Sequence, residues 1–300
     1  MSSVTQRIGE IKQPKGGYIK PSQFKKTCFD DGVVLNENEN VHASVIGLTV
    51  DYMTRYMMTG NASEAFRISI RGYYRRLEFY AATLSDRDAK KSDIFKKNKS
   101  MSLEEVKERI VIEEDGDNSI FRLLERLNGL DDDSIIAACK ITTYDVWLRS
   151  FITADRVKTA YGTNPDKQTI ENIRVMIQRS LLFWERVGPI TADGFVFSEI
   201  NKDDNSIKSG YTATVDTGDG DYLTNDTMWD FKVSKSEITN RYTLQILMYY
   251  IMGKHSGMDM YKNINRLGFF NPRLNAMYEL DVNTIPEEII KAVETDVIGY

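Results

Sequence analysis

Two side chains of opposite charge lie two residues apart in a segment that alternates like a strand. Residues 227–233 predict a β-strand on which Asp230 and Lys232 share one face. Trp229 and Phe231 then point to the opposite face, towards a core. The pattern therefore predicts a carboxylate and an ammonium group held side by side on a sheet.

A second carboxylate, that of Asp216, ends another predicted strand, residues 210–216. Asp216 precedes Asp230 by 14 residues, and a hairpin of this length can bring both carboxylates to neighbouring strand ends. Two converging carboxylates suit Mg²⁺, which keeps several waters and binds through one or two carboxylates and the phosphates of a substrate. Lys232 beside such an ion could orient or help deprotonate an attacking water and offset charge on a phosphate.

A polar stripe is predicted on the helix that follows this strand, over residues 236–253. Gln245 and Tyr249 are spaced i and i+4, and Tyr242 lies three residues before Gln245, so all three share one face. The apolar side chains occupy a different face, and these are Leu244, Leu247, Ile251 and Met252. The polar face is therefore available to a ligand.

The ordered set of Asp216, Asp230-Phe231-Lys232 and Gln245-x-x-x-Tyr249 resembles the PD-(D/E)XK nuclease superfamily, particularly its RecB-like branch. The resemblance covers roughly residues 194–281. It implies an α/β, restriction-endonuclease-like core, with a central mixed sheet flanked by helices. It further implies hydrolysis of phosphodiester bonds, most naturally in DNA, with Mg²⁺ or Mn²⁺ as cofactor.

The same resemblance implies a role for each matching residue. Asp216, Asp230 and the backbone carbonyl of Phe231 would bind the metal, and Lys232 would act in the reaction. Gln245 and Tyr249 would support the site and contact DNA. Three departures stand out: no Pro precedes Asp216, the second acid is Asp rather than Glu, and roughly 190 residues precede the core without a recognisable motif.

Members of the RecB-like branch often add an upstream metal ligand. His42, which opens the first strong helical pattern, is the only His outside the C-terminal module. Glu171 and Glu185 on the helix before the meander, and Glu199 on its first strand, compete with it for this role.

Two other functions remain open on the sequence. One is a non-catalytic member of the same fold that serves as a DNA-binding or protein-interaction subunit. The other is a helical scaffold whose N-terminal region binds a protein partner. Intact Asp216, Asp230 and Lys232 favour the enzyme; an exposed salt bridge between Asp230 and Lys232 is the structural alternative.

Two further motifs carry less weight. Residues 216–221 faintly suggest a calcium-binding loop, but position 12 of such a loop is Thr227 rather than Glu, so an acidic turn is the better interpretation. Lys96, Lys97 and Lys99 favour a solvated linker over a DNA clamp.

Hydrophobic periodicity divides the chain into three parts. Residues 1–41 predict an irregular arm, and residues 42–187 a mainly helical region packed on the core, interrupted by a basic linker over 83–101. After Gly188-Pro189 the period changes from about 3.6 to 2. Residues 188–300 therefore predict the nuclease-like core, in the order helix, three-strand meander, helix and strand.

Composition supports a globular chain with a substantial core. The 300 residues carry a net charge of −5, which does not suggest general coating of nucleic acid. Apolar runs are too short to span a bilayer, and the first residues lack the apolar stretch of a secretion signal. Because Cys28 and Cys139 offer neither a disulfide framework nor a zinc set, a reducing, cytoplasmic setting without membrane contact is expected.

Overall fold

The computed structural model describes residues 2–98, 100–150, 159–200 and 205–300. The first elements are β1 (Ser2–Ser3), α1 (Val4–Glu10) and β2 (Lys25–Cys28). The helices that follow are α2 (Ala43–Thr59), α3 (Ala62–Ala65), α4 (Arg67–Thr83), α5 (Asp86–Lys91), α6 (Asp93–Lys97), α7 (Leu103–Asp115), α8 (Ile120–Glu125), α9 (Asp132–Thr142), α10 (Asp145–Arg149) and α11 (Lys167–Val187). The remaining elements are β3 (Ala192–Val196), β4 (Ser198–Ile200), β5 (Ile207–Ser209), β6 (Val215–Thr217), β7 (Asp219–Leu223), β8 (Thr227–Phe231), α12 (Asn240–Ser256), β9 (Arg266–Asn271), β10 (Ala276–Asp281) and α13 (Glu287–Ala292).

The chain divides into two compact units. Unit 1 combines Met1–Val33 with Leu182–Tyr300, and unit 2 is Val34–Leu181. These limits differ from the predicted boundaries at 41/42 and 187/188, because residues near the N-terminus join the C-terminal unit.

Unit 1 is an α/β unit around a mixed sheet of six strands, in the order β2-β10-β9-β8-β7-β3. Strands β3, β7 and β8 form an antiparallel meander, and β9 then lies parallel to β8. Because α12 connects β8 to β9, the chain crosses over a helix between parallel strands, as such pairs require. The predicted order of helix, meander, helix and strand is therefore present.

The middle strand of the meander is not the predicted one. Residues 217–221 were expected to turn because Gly and Asp favour turns, yet β7 begins at Asp219. The predicted strand 210–216 is instead reduced to β6, which pairs with β1 in a separate two-stranded sheet. Packing explains the glycine at position 220 of β7, because a Cβ atom there would overlap the ring of Phe195 on β3.

Residues 1–41 are not an irregular arm as expected. Helix α1 opens with a capping box between Ser3 and Gln6 and buries Val4 and Ile8 in the core. Strand β2 pairs antiparallel with β10 and forms one edge of the large sheet. Elements this short contain too few apolar positions to reveal their period in the sequence.

Helix α12 lies at the centre of the unit 1 core. Its buried apolar residues are on more than one face of the helix, and they are Leu244, Ile246, Leu247, Met248, Ile251 and Met252. Thr243 Oγ1 also donates a hydrogen bond of 2.7 Å to the carbonyl of Ile19, which ties α12 to the N-terminal segment. The last turn of α11 joins the same unit, where Phe183 stacks on Phe270 with ring centroids 4.0 Å apart.

Unit 2 is mainly helical, as the periodicity predicted. The capping box of Ser102 with Glu105 is present at the start of α7. The predicted basic linker is partly helical, because Ser85 and Ser92 cap the short helices α5 and α6; Lys99 lies outside the described residues. None of the described helices combines the length and the apolar character needed to cross a bilayer.

Candidate active site

The end of β8 holds the predicted pair of charges. Asp230 is 3% exposed, and its Oδ2 lies 2.7 Å from Nζ of Lys232, the first residue after the strand. Both side chains leave one face of the sheet, as the spacing requires. Asp230 is buried and Lys232 is half-buried, so the pair differs from the exposed salt bridge considered as an alternative.

Side chains of helix α12 contact the ammonium group of Lys232. Lys232 Nζ donates to Gln245 Oε1 at 3.2 Å, and Gln245 Nε2 donates to the hydroxyl of Tyr249 at 2.9 Å. Lys232 Nζ also lies 4.9 Å from the centroid of the Tyr242 ring. The stripe of Tyr242, Gln245 and Tyr249 therefore faces the strand that carries Asp230 and Lys232.

A carboxylate that the sequence reasoning missed lies across from Asp230. Tyr222 pairs with Trp229 in the β7–β8 ladder, and one further step of this register places Asp221 opposite Asp230. Asp221 Oδ2 accepts a hydrogen bond of 2.7 Å from the backbone N–H of Phe231. Residues directly opposite in an antiparallel pair point to the same face, so Asp221 and Asp230 converge.

The spacing of nine residues between Asp221 and Asp230 was the available signal. Thr224 N–H donates to the carbonyl of Thr227 at 3.0 Å and closes a tight connection between β7 and β8. In this hairpin the pairs Leu223–Met228 and Tyr222–Trp229 are five and seven residues apart, so the next pair is nine apart. The Gly-Asp run over 218–221 concealed this signal because it is typical of turns.

Asp216 is placed differently from the expectation. It is exposed on β6, where Thr217 Oγ1 donates to its Oδ1 at 3.3 Å. Since β6 pairs with β1 and not with β8, strand pairing does not bring Asp216 beside Asp230. In the register of the β7–β8 pair it is Asp221, and not Asp216, that lies opposite Asp230.

The candidates for an upstream ligand have other positions. His42 belongs to unit 2, where its Nδ1 accepts from the backbone N–H of Ser44 and caps α2. Glu171 pairs with Arg174 in the same unit. Glu185 on α11 and Glu199 on β4 are exposed. Over the ranges given above for the structure, no group of three or more His, Cys, Asp or Glu side chains is placed to hold a metal ion.

The charges around Lys232 keep it protonated. Burial disfavours its ammonium form, but the carboxylates of Asp230 and Asp221 outweigh burial, so the pKa of Lys232 is raised. Burial, with Asp230 nearby, also raises the pKa of Tyr249 well above its usual range. At neutral pH Lys232 is thus a cation and Tyr249 a neutral hydroxyl.

The donor set of the site fits a small hard cation. Asp221, Asp230 and the main-chain carbonyl of Phe231 offer oxygen atoms only, and Asp221 is partly exposed. Mg²⁺ in proteins is commonly held by one or two carboxylates, with water and substrate phosphate completing its coordination. Two carboxylates are therefore sufficient in number, although a third acidic ligand is absent from the described residues.

No protein-family model, curated protein or solved structure matches this chain.

Proposed function

We propose that this protein is a metal-dependent nuclease that hydrolyses phosphodiester bonds, most naturally those of DNA. One observation carries the proposal: Asp221 of β7 lies opposite Asp230 of β8, and Asp230 pairs with Lys232. Gln245 of α12 binds Lys232 and is itself bound to Tyr249. The element order of unit 1, with β9 parallel to β8 after a helix, supports a restriction-endonuclease-like core.

Asp221, Asp230 and the Phe231 carbonyl would hold Mg²⁺ or Mn²⁺, with Asp221 taking the role that the resemblance gave to Asp216. The bound ion would supply Lewis-acid polarisation of the scissile phosphate and lower the pKa of water. Both acids lie on strands of one sheet, so their positions are set by backbone pairing rather than by loops.

Lys232 acts as a fixed cation in this proposal. In the reaction, the water oxygen forms a new bond to phosphorus and the P–O ester bond breaks. The attacking water gives up a proton to solvent, and the leaving oxygen takes one up from solvent. Negative charge builds on the phosphate oxygens meanwhile, and a preorganised ammonium stabilises it. Because the pKa of Lys232 is raised, the side chain donates hydrogen bonds rather than accepting a proton from water.

Gln245 and Tyr249 position Lys232. The Gln245 amide accepts from the ammonium and donates to the Tyr249 hydroxyl, so its orientation is determined at both ends. Tyr249 is itself buried among aromatic rings, with its ring centroid 5.3 Å from that of Phe197. This chain of contacts limits where the ammonium can move.

The test is cleavage of labelled single- and double-stranded DNA, with and without free ends, in Mg²⁺ and in Mn²⁺. We expect Lys232→Met to bind DNA but to lose about 10²- to 10³-fold in cleavage rate, as when one transition-state donor is removed. Asp230→Asn should lose cleavage together with the response to metal. Tyr249→Phe should be milder, because it removes one hydroxyl and leaves the ring packed.

Asp226→Asn is the matched control, since Asp226 is an exposed acid in the connection of the same hairpin, beside Thr227. It should cleave like the wild type. Unchanged cleavage by Asp230→Asn would overturn the nuclease assignment. DNA binding by the wild type without cleavage of any substrate would instead support the non-catalytic subunit.

A further inference from the structure

Three exposed cations lie around the first turn of α12. They are Lys15 and Lys20 from the N-terminal segment and Arg241 from the helix itself. Gly16 and Gly17 have φ of 91° and 89°, a region that glycine enters without strain, and the turn they form closes against the helix. A Cβ atom on Gly17 would lie 2.6 Å from Cβ of Asn240, the first residue of α12.

Lys20 and Arg241 each lie against a glycine of the N-terminal segment, and Lys15 directly precedes Gly16. Lys20 folds back over the turn, so that its Cε would lie 3.5 Å from a Cβ atom on Gly16. Arg241 reaches towards α1, where its Nη2 would lie 3.7 Å from a Cβ atom on Gly9. The acid at the end of α1, Glu10, is already paired with Arg7 at 3.3 Å. Burial and, after it, the carboxylate of Asp296 raise the pKa of Tyr18, so Asp296 is a second acid near this surface. Arg7 and the three exposed cations outnumber Glu10 and Asp296, so the balance of charge is positive.

This surface continues into the candidate active site. Arg241 precedes Gln245 by four residues, so the two side chains lie on one face of α12, one turn apart. Between them in the sequence is Tyr242, whose ring lies under the ammonium of Lys232. Arg241 therefore lies one helical turn before Gln245, the α12 residue that binds the ammonium group of Lys232.

We propose that Lys15, Lys20 and Arg241 form a strip that binds the phosphates of a nucleic-acid strand and leads it to Lys232. The inference deepens the proposed nuclease function and depends on it for the position of the scissile bond. Side-chain cations facing solvent bind phosphates through charge and counterion release, without reading bases. The Thr239 side chain makes no cap hydrogen bond, and the positive end of the helix dipole adds to the attraction.

The test measures binding in EDTA, where metal-dependent cleavage is switched off. Fluorescence anisotropy would follow labelled single strands and duplexes of about 20 nucleotides, long enough to exceed a typical single-domain site. The variant is Lys15→Gln, Lys20→Gln and Arg241→Gln together. The matched control is Lys208→Gln, Lys262→Gln and Lys291→Gln, which also removes three exposed cations of unit 1. Each variant loses three positive charges, so both change the net charge from −5 to −8.

We expect the strip variant to bind about tenfold or more weakly, whatever the sequence. The slope of log K against log salt should fall by about 3 for duplex and about 2 for single strands. The control should stay within about twofold of the wild type. Two outcomes would overturn the strip. In one, both variants lose the same affinity, which would mean that net charge alone is responsible; in the other, the strip variant binds as tightly as the wild type. Thermal melting of both variants establishes that they are folded.

The same experiment separates this inference from the nuclease proposal. If the wild type binds through the strip in EDTA but does not cleave in Mg²⁺, the strip proposal stands and the nuclease proposal fails. If the wild type cleaves DNA and the strip variant keeps its KM and its affinity, the strip proposal fails and the nuclease proposal stands.

Discussion

Asp216 and Asp221 are only five residues apart, yet they lie in different sheets. Asp221 faces the end of β8 and binds the backbone N–H of Phe231, whereas Asp216 is exposed on β6. The difference arises because pairing with β8, and not residue type, decides which carboxylate joins Asp230. Two acids of similar sequence context are thereby separable by experiment.

Metal binding should depend on Asp221 and not on Asp216. We expect Mg²⁺ or Mn²⁺ to raise the melting temperature of the wild type above its value in EDTA, because a ligand at about 100 times its Kd stabilises by about 2.7 kcal/mol. Asp221→Asn should lose most of this increase because it removes one of two charged ligands. Asp216→Asn should keep it.

Differential scanning fluorimetry with and without millimolar metal makes the comparison. A metal response that survives in Asp221→Asn but disappears in Asp216→Asn would restore the assignment made from the resemblance. Equal melting temperatures in EDTA and in metal for the wild type would argue against a formed metal site.

Strand β7 is positioned by close packing at a glycine. Phe195 of β3 is 2% exposed, and its ring covers Gly220 where a Cβ atom would otherwise stand. Phe195 also contacts Tyr249 of α12, with ring centroids 6.3 Å apart. The strand that carries Asp221 is therefore linked through one aromatic ring to the helix that carries Gln245.

Gly220→Ala should destabilise the protein by about 1 to 3 kcal/mol, the usual cost of overfilling a packed core. Gly9→Ala is the control, because this exposed glycine of α1 has room for a methyl group, which would lie 3.7 Å from Nη2 of Arg241. Ala favours a helix, so Gly9→Ala should be neutral or stabilising by up to about 1 kcal/mol. Chemical denaturation measures both, and a Gly220→Ala protein as stable as the wild type would contradict this account of β7.

Unit 1 is assembled from two distant parts of the chain. Strand β2 pairs with β10, with Cys28 opposite Ala276. Phe24 packs on Phe269, with ring centroids 5.3 Å apart. Phe183 and Trp184, from the end of α11, complete the aromatic cluster around Trp229. The C-terminal segment alone therefore lacks an edge strand and part of its core.

A fragment of residues 188–300 should be poorly soluble or fail to unfold cooperatively, since it exposes the edge of β10 and the surface under α1. Residues 1–33 joined to 182–300 by a flexible Gly/Ser linker should fold. The two proteins can be compared by size-exclusion chromatography and thermal melting followed by circular dichroism. A monomeric fragment 188–300 with a sharp melting transition would show that the N-terminal segment is dispensable.

Local pattern was enough to predict several parts of the site. Asp230 and Lys232 share a face because side chains alternate along any strand, and Gln245 and Tyr249 share a face because helical residues four apart are neighbours. The helix that carries them follows from the same reasoning, although α12 begins at Asn240 rather than near 236. These features depend on residues close in sequence, so they can be inferred without the fold.

Which acid lies beside Asp230, and what covers the edge of β10, depended on contacts between distant residues. Asp221 meets Asp230 through the β7–β8 register, and β2 meets β10 across most of the chain. Strand pairing is determined by the packing of whole sheet faces, such as that of Phe195 over Gly220. The sequence of one short strand therefore does not predict which strand it pairs with. The residue types of the site could therefore be predicted from the sequence, whereas tertiary packing decided which residue supplies the second carboxylate.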